Sequence, residues 1–162
     1  MFIKLRKLYL SHNKFEKIDL CIFYFYSSLE VLTLDNNLIT SLPAEMSNFK
    51  MLKELNLSYN KIEKIPESFC NIPSLETLNL SNFETKNLGN MKEMFSKSGI
   101  EFLNLSRFQT DNLNDMTSMF EGCLSLSSLF FPKNFILNAS RSSKEAACSS
   151  FSEASCIIAL IF

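Results

Sequence analysis

A single histidine, three glycines and no tryptophan in 162 residues exclude several chemistries at once. Nucleophilic catalysis of the Ser/His/Asp or Cys/His kind needs a positioned base. The only histidine, His12, falls in the loop that follows the first apolar segment, where a surface role is expected. Gly89, Gly99 and Gly122 stand alone, as turn glycines do, so no glycine-rich phosphate loop is present. The five cysteines (Cys21, Cys70, Cys123, Cys148 and Cys156) contain no C-x-x-C pair and join no His/Asp cluster at ligand spacing. They read as small apolar side chains, with Cys148 and Cys156 the one pair placed near a chain end as a disulfide cap would be. Neither a metal nor a cofactor is expected, and nothing selects a catalytic pair; the chain reads as a non-enzyme with no small-molecule substrate.

Charge of one sign is also missing. The net charge is −1 and no Lys/Arg block occurs, which argues against a nucleic-acid partner held by phosphate contacts. The longest apolar runs, LCIFYFY from Leu20 and CIIALIF from Cys156, are seven residues each. A membrane-spanning helix needs about 20, so no membrane insertion is expected. MFIKLRKLYL carries charges where a signal peptide needs its apolar centre.

What the chain does have is self-similarity. Residues 79 to 95 read NLSNFETKNLGNMKEMF, and residues 104 to 120, 25 positions on, read NLSRFQTDNLNDMTSMF. The unit opens with L-x-x-L-x-L: LRKLYL from Leu5, LEVLTL from Leu29, LKELNL from Leu52, LETLNL from Leu75, IEFLNL from Ile100 and a weaker LSSLFF from Leu126. The steps between these starts are 24, 23, 23, 25 and 26 residues. A fixed period in this range marks a solenoid of stacked supersecondary units.

The alternating leucines call for a short strand with one buried face, and a strand recurring once per turn must pair in parallel with its copies. Leu8 and Leu10, Leu32 and Leu34, Leu55 and Leu57, Leu78 and Leu80, Leu103 and Leu105 then form the inner wall. In the ninth place of the first three units stand Asn13, Asn37 and Asn60, expected to form a structural ladder by bonding backbone groups of neighbouring coils. Met91, Met94 and Phe95, like Met116, Met119 and Phe120, recur at i, i+3, i+4, which predicts short helices with Asn90 and Asp115 as N-caps. Less regular turns are expected after Pro43 and Pro66, with LCIFYFY filling the outer side between the first two units.

LRKLYLSHNKFEKI, LEVLTLDNNLITSLP and LKELNLSYNKIEKIP resemble the leucine-rich repeat proteins, and the resemblance covers roughly residues 5 to 135. Units four and five carry Phe83 and Phe108 in the ninth place, followed by T-x-N-L-x-x-M-x-x-M-F. Those two look like the repeats of BspA-like bacterial and protozoan surface proteins. The fold implied is an α/β solenoid, a curved horseshoe segment with a parallel β-sheet on its concave side and short helices and turns on its convex side.

The third, fifth and seventh places of each unit are expected to face the concave side. They form the columns Lys7, Val31, Glu54, Thr77, Phe102, Ser128; Tyr9, Thr33, Asn56, Asn79, Asn104, Phe130; and Ser11, Asp35, Ser58, Ser81, Ser106, Pro132. Alongside lie His12, Asn36, Tyr59, Asn82, Arg107 and Lys133. The residues expected to contact a partner are Tyr9, Thr33, Asp35, Glu54, Asn56, Tyr59, Asn79, Asn104 and Arg107. Such a sheet of amide, hydroxyl and aromatic groups suits a protein ligand. The Asn-Leu-Ser sequons at Asn56, Asn79 and Asn104 fall inside strands and read as repeat grammar; Asn138 is the one sequon outside a strand.

Residues 1–135 are thus expected to form the solenoid, with units starting near 5, 29, 52, 75, 100 and 126. Residues 136–162, rich in Ser and Ala before IIALIF, read as a degenerate seventh unit or a tail. The resemblance implies a non-catalytic protein-interaction module, with surface adhesion as the use of BspA-like repeats and the cell surface or secretion as its place. A cytoplasmic place is the alternative, since ordinary leucine-rich repeats occur on both sides of the membrane. The abrupt ends are those expected of a fragment, leaving open a regulatory segment of a larger multidomain signalling protein or a truncated product without function.

Overall fold

The computed structural model describes residues 4–63, 65–66, 72–82, 91–108, 115, 117–130 and 132. Each L-x-x-L-x-L segment supplies one three-residue strand: β1 Lys7–Tyr9, β2 Val31–Thr33, β3 Glu54–Asn56, β4 Thr77–Asn79, β5 Phe102–Asn104 and β6 Ser128–Phe130. All pair in parallel in chain order, so every connection is one turn of a solenoid. Leu8, Leu32, Leu55, Leu78, Leu103 and Leu129 lie in register. From Leu32 onward this row is buried, and beside it Leu34, Leu57, Leu80 and Leu105 make a second buried row. Bonds between coils continue past the strands: the Leu34, Leu57 and Leu80 N–H groups donate to the carbonyls of Asn56, Asn79 and Asn104 at 2.8, 3.0 and 2.9 Å. Register is thereby fixed over more residues than the strands themselves contain.

The outer wall closes the core, and it differs from the sequence expectation. A 3₁₀ helix, Leu20–Phe25, follows β1; Asp19 caps it by accepting the Cys21 N–H at 2.8 Å. After Pro43, where looser turns were expected, a second 3₁₀ helix runs over Ala44–Asn48 and buries Met46. Farther on, the spacing of Met91, Met94 and Phe95 predicts a helix, and the chain makes turns instead. The N–H groups of Met91, Glu93, Phe95 and Lys97 donate to the carbonyls of Asp115, Thr117, Met119 and Glu121 in the next coil, at 2.8, 3.0, 2.9 and 2.6 Å. An α-helix would need those donors internally. Between them, the Met94, Ser96 and Ser98 N–H groups close three-residue turns on Met91, Glu93 and Phe95. The wall is a second inter-coil ladder, and the apolar spacing serves it equally well: Met91, Phe95, Met119 and Phe120 are buried, with the rings of Phe95 and Phe120 stacked at 5.8 Å. Asp115 accepts the Thr117 N–H at 2.9 Å without starting a helix.

Among the described cysteines, Cys123 is buried and donates its thiol to the Phe95 carbonyl at 2.8 Å, whereas Cys21 is exposed and so is not the small core residue expected of it. No helix of the described residues is long and apolar enough to cross a membrane. Asn90, Met116, Phe83, Cys70, Lys133, the stretch after Pro66, the Cys148/Cys156 pair, Asn138 and the seventh unit at 136–162 lie outside the described residues.

Candidate functional site: the solvent face of the sheet

Because side chains alternate along a strand, the third and fifth places of every unit leave the sheet on the face opposite the leucines. Pairing makes columns of them: Lys7, Val31, Glu54, Thr77, Phe102, Ser128, and Tyr9, Thr33, Asn56, Asn79, Asn104, Phe130. Five inter-strand steps of about 4.8 Å give a face about 24 Å across. Aromatic groups stand at both ends. Tyr9 is 64% exposed on β1, and at the far end the rings of Phe102 and Phe130 approach to 5.4 Å. Between them a shallow depression of about 230 Å³ is lined by Thr33, Glu54, Asn56, Thr77, Asn79 and Phe102.

The seventh place behaves differently from the expectation that all three places face the partner side. Ser58 and Ser81 are buried, as is Val31 in the third place. The serines are drawn in by their own repeat: Asn56, Asn79 and Asn104 accept the backbone N–H of Ser58, Ser81 and Ser106 at 3.1, 3.1 and 2.9 Å. This side-chain turn gives the recurring Asn-Leu-Ser a structural meaning, because the amide oxygen satisfies an N–H as the strand ends. The amide nitrogen of Asn56 is free to reach across the coil and donates to Asp35 Oδ1 at 3.1 Å.

Asp35 is the hub of the polar face. Its carboxylate accepts from Ser11 Oγ at 2.5 Å, from Asn56 and, on the other oxygen, from Asn36 Nδ2 at 2.9 Å. Ser11 Oγ also lies 2.9 Å from Thr33 Oγ1, and His12 Nε2 lies 4.0 Å from Asp35 Oδ2. Three coils thus fix one carboxylate in place. Asp35, Thr33 and Asn56 stand among the expected contact residues; Ser11, in the seventh-place column, and Asn36, beside it, are expected on the same side but not among the contacts, and the polar character of those two places is the available signal.

Beside the sheet runs a rim in the eighth place. His12, Asn36, Tyr59, Asn82 and Arg107 all take left-handed backbone, with φ of 56°, 54°, 55°, 61° and 66°. This bend turns each coil out of the sheet and holds the rim side chains beside it. Tyr59 is 52% exposed, and Arg107 Nη1 donates to Asn82 Oδ1 at 3.3 Å. The opposite border carries paired charges: Arg6 grips Glu30 through two bonds of 2.7 and 2.8 Å, and Lys53 Nζ lies 2.8 Å from Glu76. The hydrogen bonds from Arg6 hold the Glu30 carboxyl below its ordinary range, and those to Glu76 and Glu30 raise Lys53 and Arg6. Of the nine expected contact residues, Tyr9, Thr33, Glu54, Asn56, Asn79 and Asn104 share the sheet face, Asp35 sits at its edge, and Tyr59 and Arg107 occupy the rim.

The three ninth-place asparagines lie away from this face. Asn37 and Asn60 are buried; Asn13 is exposed. Asn60 Nδ2 donates to Leu34 and Leu57 carbonyls at 2.9 and 2.8 Å, while its Oδ1 accepts the Ile39 N–H at 3.0 Å. Asn13 reaches only Leu10 and Ser11 of its own coil. Among the described residues no group of three His, Cys, Asp or Glu side chains could hold a metal ion.

Residues 3–62 and 27–82 match the leucine-rich repeat family. The chain is built as a leucine-rich repeat solenoid. Solved structures agree. An internalin from Listeria monocytogenes superposes with a TM-score of 0.55 at 20% identity over 91% of this chain and 46% of its own. A leucine-rich repeat protein of Leptospira interrogans gives 0.54 at 26% identity, covering 87% of this chain and 40% of its own. The chain therefore spans less than half the length of either structure. No curated protein sequence matches it. Leucine-rich repeat folds generally mediate protein–protein interaction and are typically non-catalytic, since the repeat provides a broad surface rather than an enclosed reaction site.

Proposed function

We propose that this leucine-rich repeat chain is a non-catalytic protein-binding module that takes its partner on the solvent face of the sheet. The observation that carries the reading is the pre-organised polar field around Asp35, Asn56 and Thr33, flanked by exposed Tyr9 and Tyr59. Groups already fixed by their neighbours lose little further freedom on binding, and exposed aromatic rings supply apolar anchors. Glu54, Asn79 and Asn104 extend the polar contact along the sheet, and Arg107 adds a cation on the rim. The twice-written F-x-T-x-N-L-x-x-M-x-x-M-F segment supports the BspA-like resemblance, and with it a surface adhesion role.

The test places a photo-crosslinking residue at Thr77, in the middle of the face, and compares the adducts of the parent chain, an Asn79→Arg variant and an outer-wall Leu124→Ser variant. A partner that crosslinks to the parent, is lost with Asn79→Arg and survives Leu124→Ser supports the reading. Loss with Leu124→Ser alone places the partner on the outer wall and overturns it.

A further inference from the structure

The seven-residue run Leu20–Tyr26 is expected to fill the outer wall, and only part of it does. Ile22 is buried and Phe23 and Phe25 pack partly against the core, but Leu20 is 68% exposed, Tyr24 is 84% exposed and Tyr26 also faces solvent. A surface segment on a 3₁₀ helix has no packing reason to hold large apolar side chains outward; contiguous exposed apolar surface marks an interaction site. These residues also form a concave feature. An open groove of about 550 Å³ runs between the two 3₁₀ helices, with Leu20, Tyr24 and Phe23 on one side and Glu45 and Asn48 on the other. Tyr26 and Lys50 close one end, tied by the Lys50 N–H to the Tyr26 carbonyl at 3.0 Å. Phe23 is braced from beneath by Phe49, the ring centres 5.3 Å apart.

We propose that this groove docks an extended, proline-rich peptide segment of a partner protein. The chemistry of the lining selects that occupant. The hydroxyls of Tyr24 and Tyr26, the Asn48 amide and the Lys50 ammonium place four groups able to donate around an aromatic floor, and in so open a groove the acceptor oxygens of the hydroxyls and the amide keep their water when no N–H faces them. A polyproline II segment presents the complement: solvated carbonyls along its length, no N–H at each proline, and flat rings that stack on tyrosine. Its preformed backbone also lowers the ordering cost that would otherwise oppose docking in so open a groove. Glu45, on the second helix, supplies the one carboxylate of the lining and fits a lysine or arginine beside the prolines. A concave groove with a carboxylate on its wall favours a peptide over a lipid surface. The groove lies on the outer wall, so the inference stands apart from the reading of the sheet face.

The probe is a decaproline peptide with one terminal arginine, added at millimolar concentration to the ¹⁵N-labelled full chain. Expected are amide shifts confined to residues 20–26 and 44–51, at least a tenfold loss of affinity in Tyr24→Ala with an unchanged melting temperature, and a smaller loss in Glu45→Gln. Because Tyr24 is outside the core, Tyr24→Ala keeps its fold. The proposal is overturned by an absence of shifts in that region, or by an alanine-substituted peptide that binds equally well. Binding of phosphatidylcholine vesicles that Tyr24→Ala abolishes, without peptide shifts, overturns it in favour of a membrane surface.

Discussion

Asn37 reaches back one full coil: its Nδ2 donates to the carbonyl of Leu10, 27 residues earlier, at 2.9 Å, while its Oδ1 accepts the Phe15 N–H at 3.1 Å. The same nitrogen donates to Leu34, whose carbonyl also takes Nδ2 of Asn60. The Leu10 and Leu34 carbonyls each have two amide donors, so removing one asparagine leaves them paired and orphans the N–H that its oxygen held; the Leu57 carbonyl, bonded by Asn60 Nδ2 at 2.8 Å, loses that donor with Asn60 as well. That sets a ranking. Asn60→Ala strands the Ile39 N–H in a buried site and costs about 1 to 3 kcal/mol; Asn37→Ala strands Phe15 N–H in a half-buried one and costs somewhat less. Asn13→Ala removes only exposed bonds within its own coil and stays within about 0.5 kcal/mol. Urea unfolding midpoints of the three variants measure the order; equal midpoints refute the ladder.

At the rim, Tyr59 holds φ of 55° without a glycine or asparagine to ease it. Left-handed backbone costs an ordinary residue about 1 to 2 kcal/mol, a cost glycine escapes. Tyr59→Ala keeps the strain and leaves stability within about 0.5 kcal/mol, since the ring is exposed. Tyr59→Gly relieves it and raises stability by up to about 1 kcal/mol, the gain reduced by the freer unfolded chain. A thermal melt of both variants against the parent checks the difference.

How much of this architecture could be read beforehand depends on which bonds fix it. The columns written from L-x-x-L-x-L are the observed pairs, Lys7 with Val31 with Glu54 and onward, because a period of two puts every leucine on one face and any slip would expose them all. The outer wall was not legible in that way. Met91 and Phe95 are buried as an i, i+4 pattern demands, but the pattern is shared by a helix and by stacked turns, and the choice lies with Asp115 and Met119, whose carbonyls sit 24 residues away. Ser58 and Ser81 were assigned to solvent by alternation alone, whereas the Asn two residues before each holds its N–H and turns it inward. Tyr24 escaped notice because an apolar run says nothing of which members face out.

Acid should loosen the N-terminal coils. Glu30 is held below the ordinary carboxylate range chiefly by hydrogen bonds from Arg6, and Asp19 by the Cys21 N–H. A carboxyl whose folded value lies below its unfolded value contributes stability above the unfolded value and loses it as pH falls through the folded one. The melting temperature should therefore be flat above about pH 5 and fall below about pH 4. Glu30→Gln should flatten part of that fall and lower the neutral-pH melt by the corresponding amount, both small because Arg6 is largely exposed and the pair is solvent-screened. A slope identical to the parent's contradicts the assignment.

The outer wall offers the last comparison, because adjacent coils solve one backbone problem with different residues. Lys97 and Gly122, 25 positions apart, occupy equivalent turns, and both are left-handed, at φ of 57° and 71°. Glycine suits that conformation and lysine does not. The Lys97 N–H is bound to the Glu121 carbonyl and its side chain is exposed, so Lys97→Gly keeps the bond and loses no packing. It should raise stability by up to about 1 kcal/mol, the relieved strain being offset in part by the freer unfolded chain. Gly122→Ala does the reverse: the added Cβ would stand 3.2 Å from Lys97 Cγ on a left-handed backbone, and stability should fall by about 1 kcal/mol. The double variant separates the two causes. If the contact with Lys97 matters, Lys97→Gly reduces the cost of Gly122→Ala; if backbone strain alone acts, the two effects add within about 0.5 kcal/mol, as denaturant midpoints of the four proteins would show.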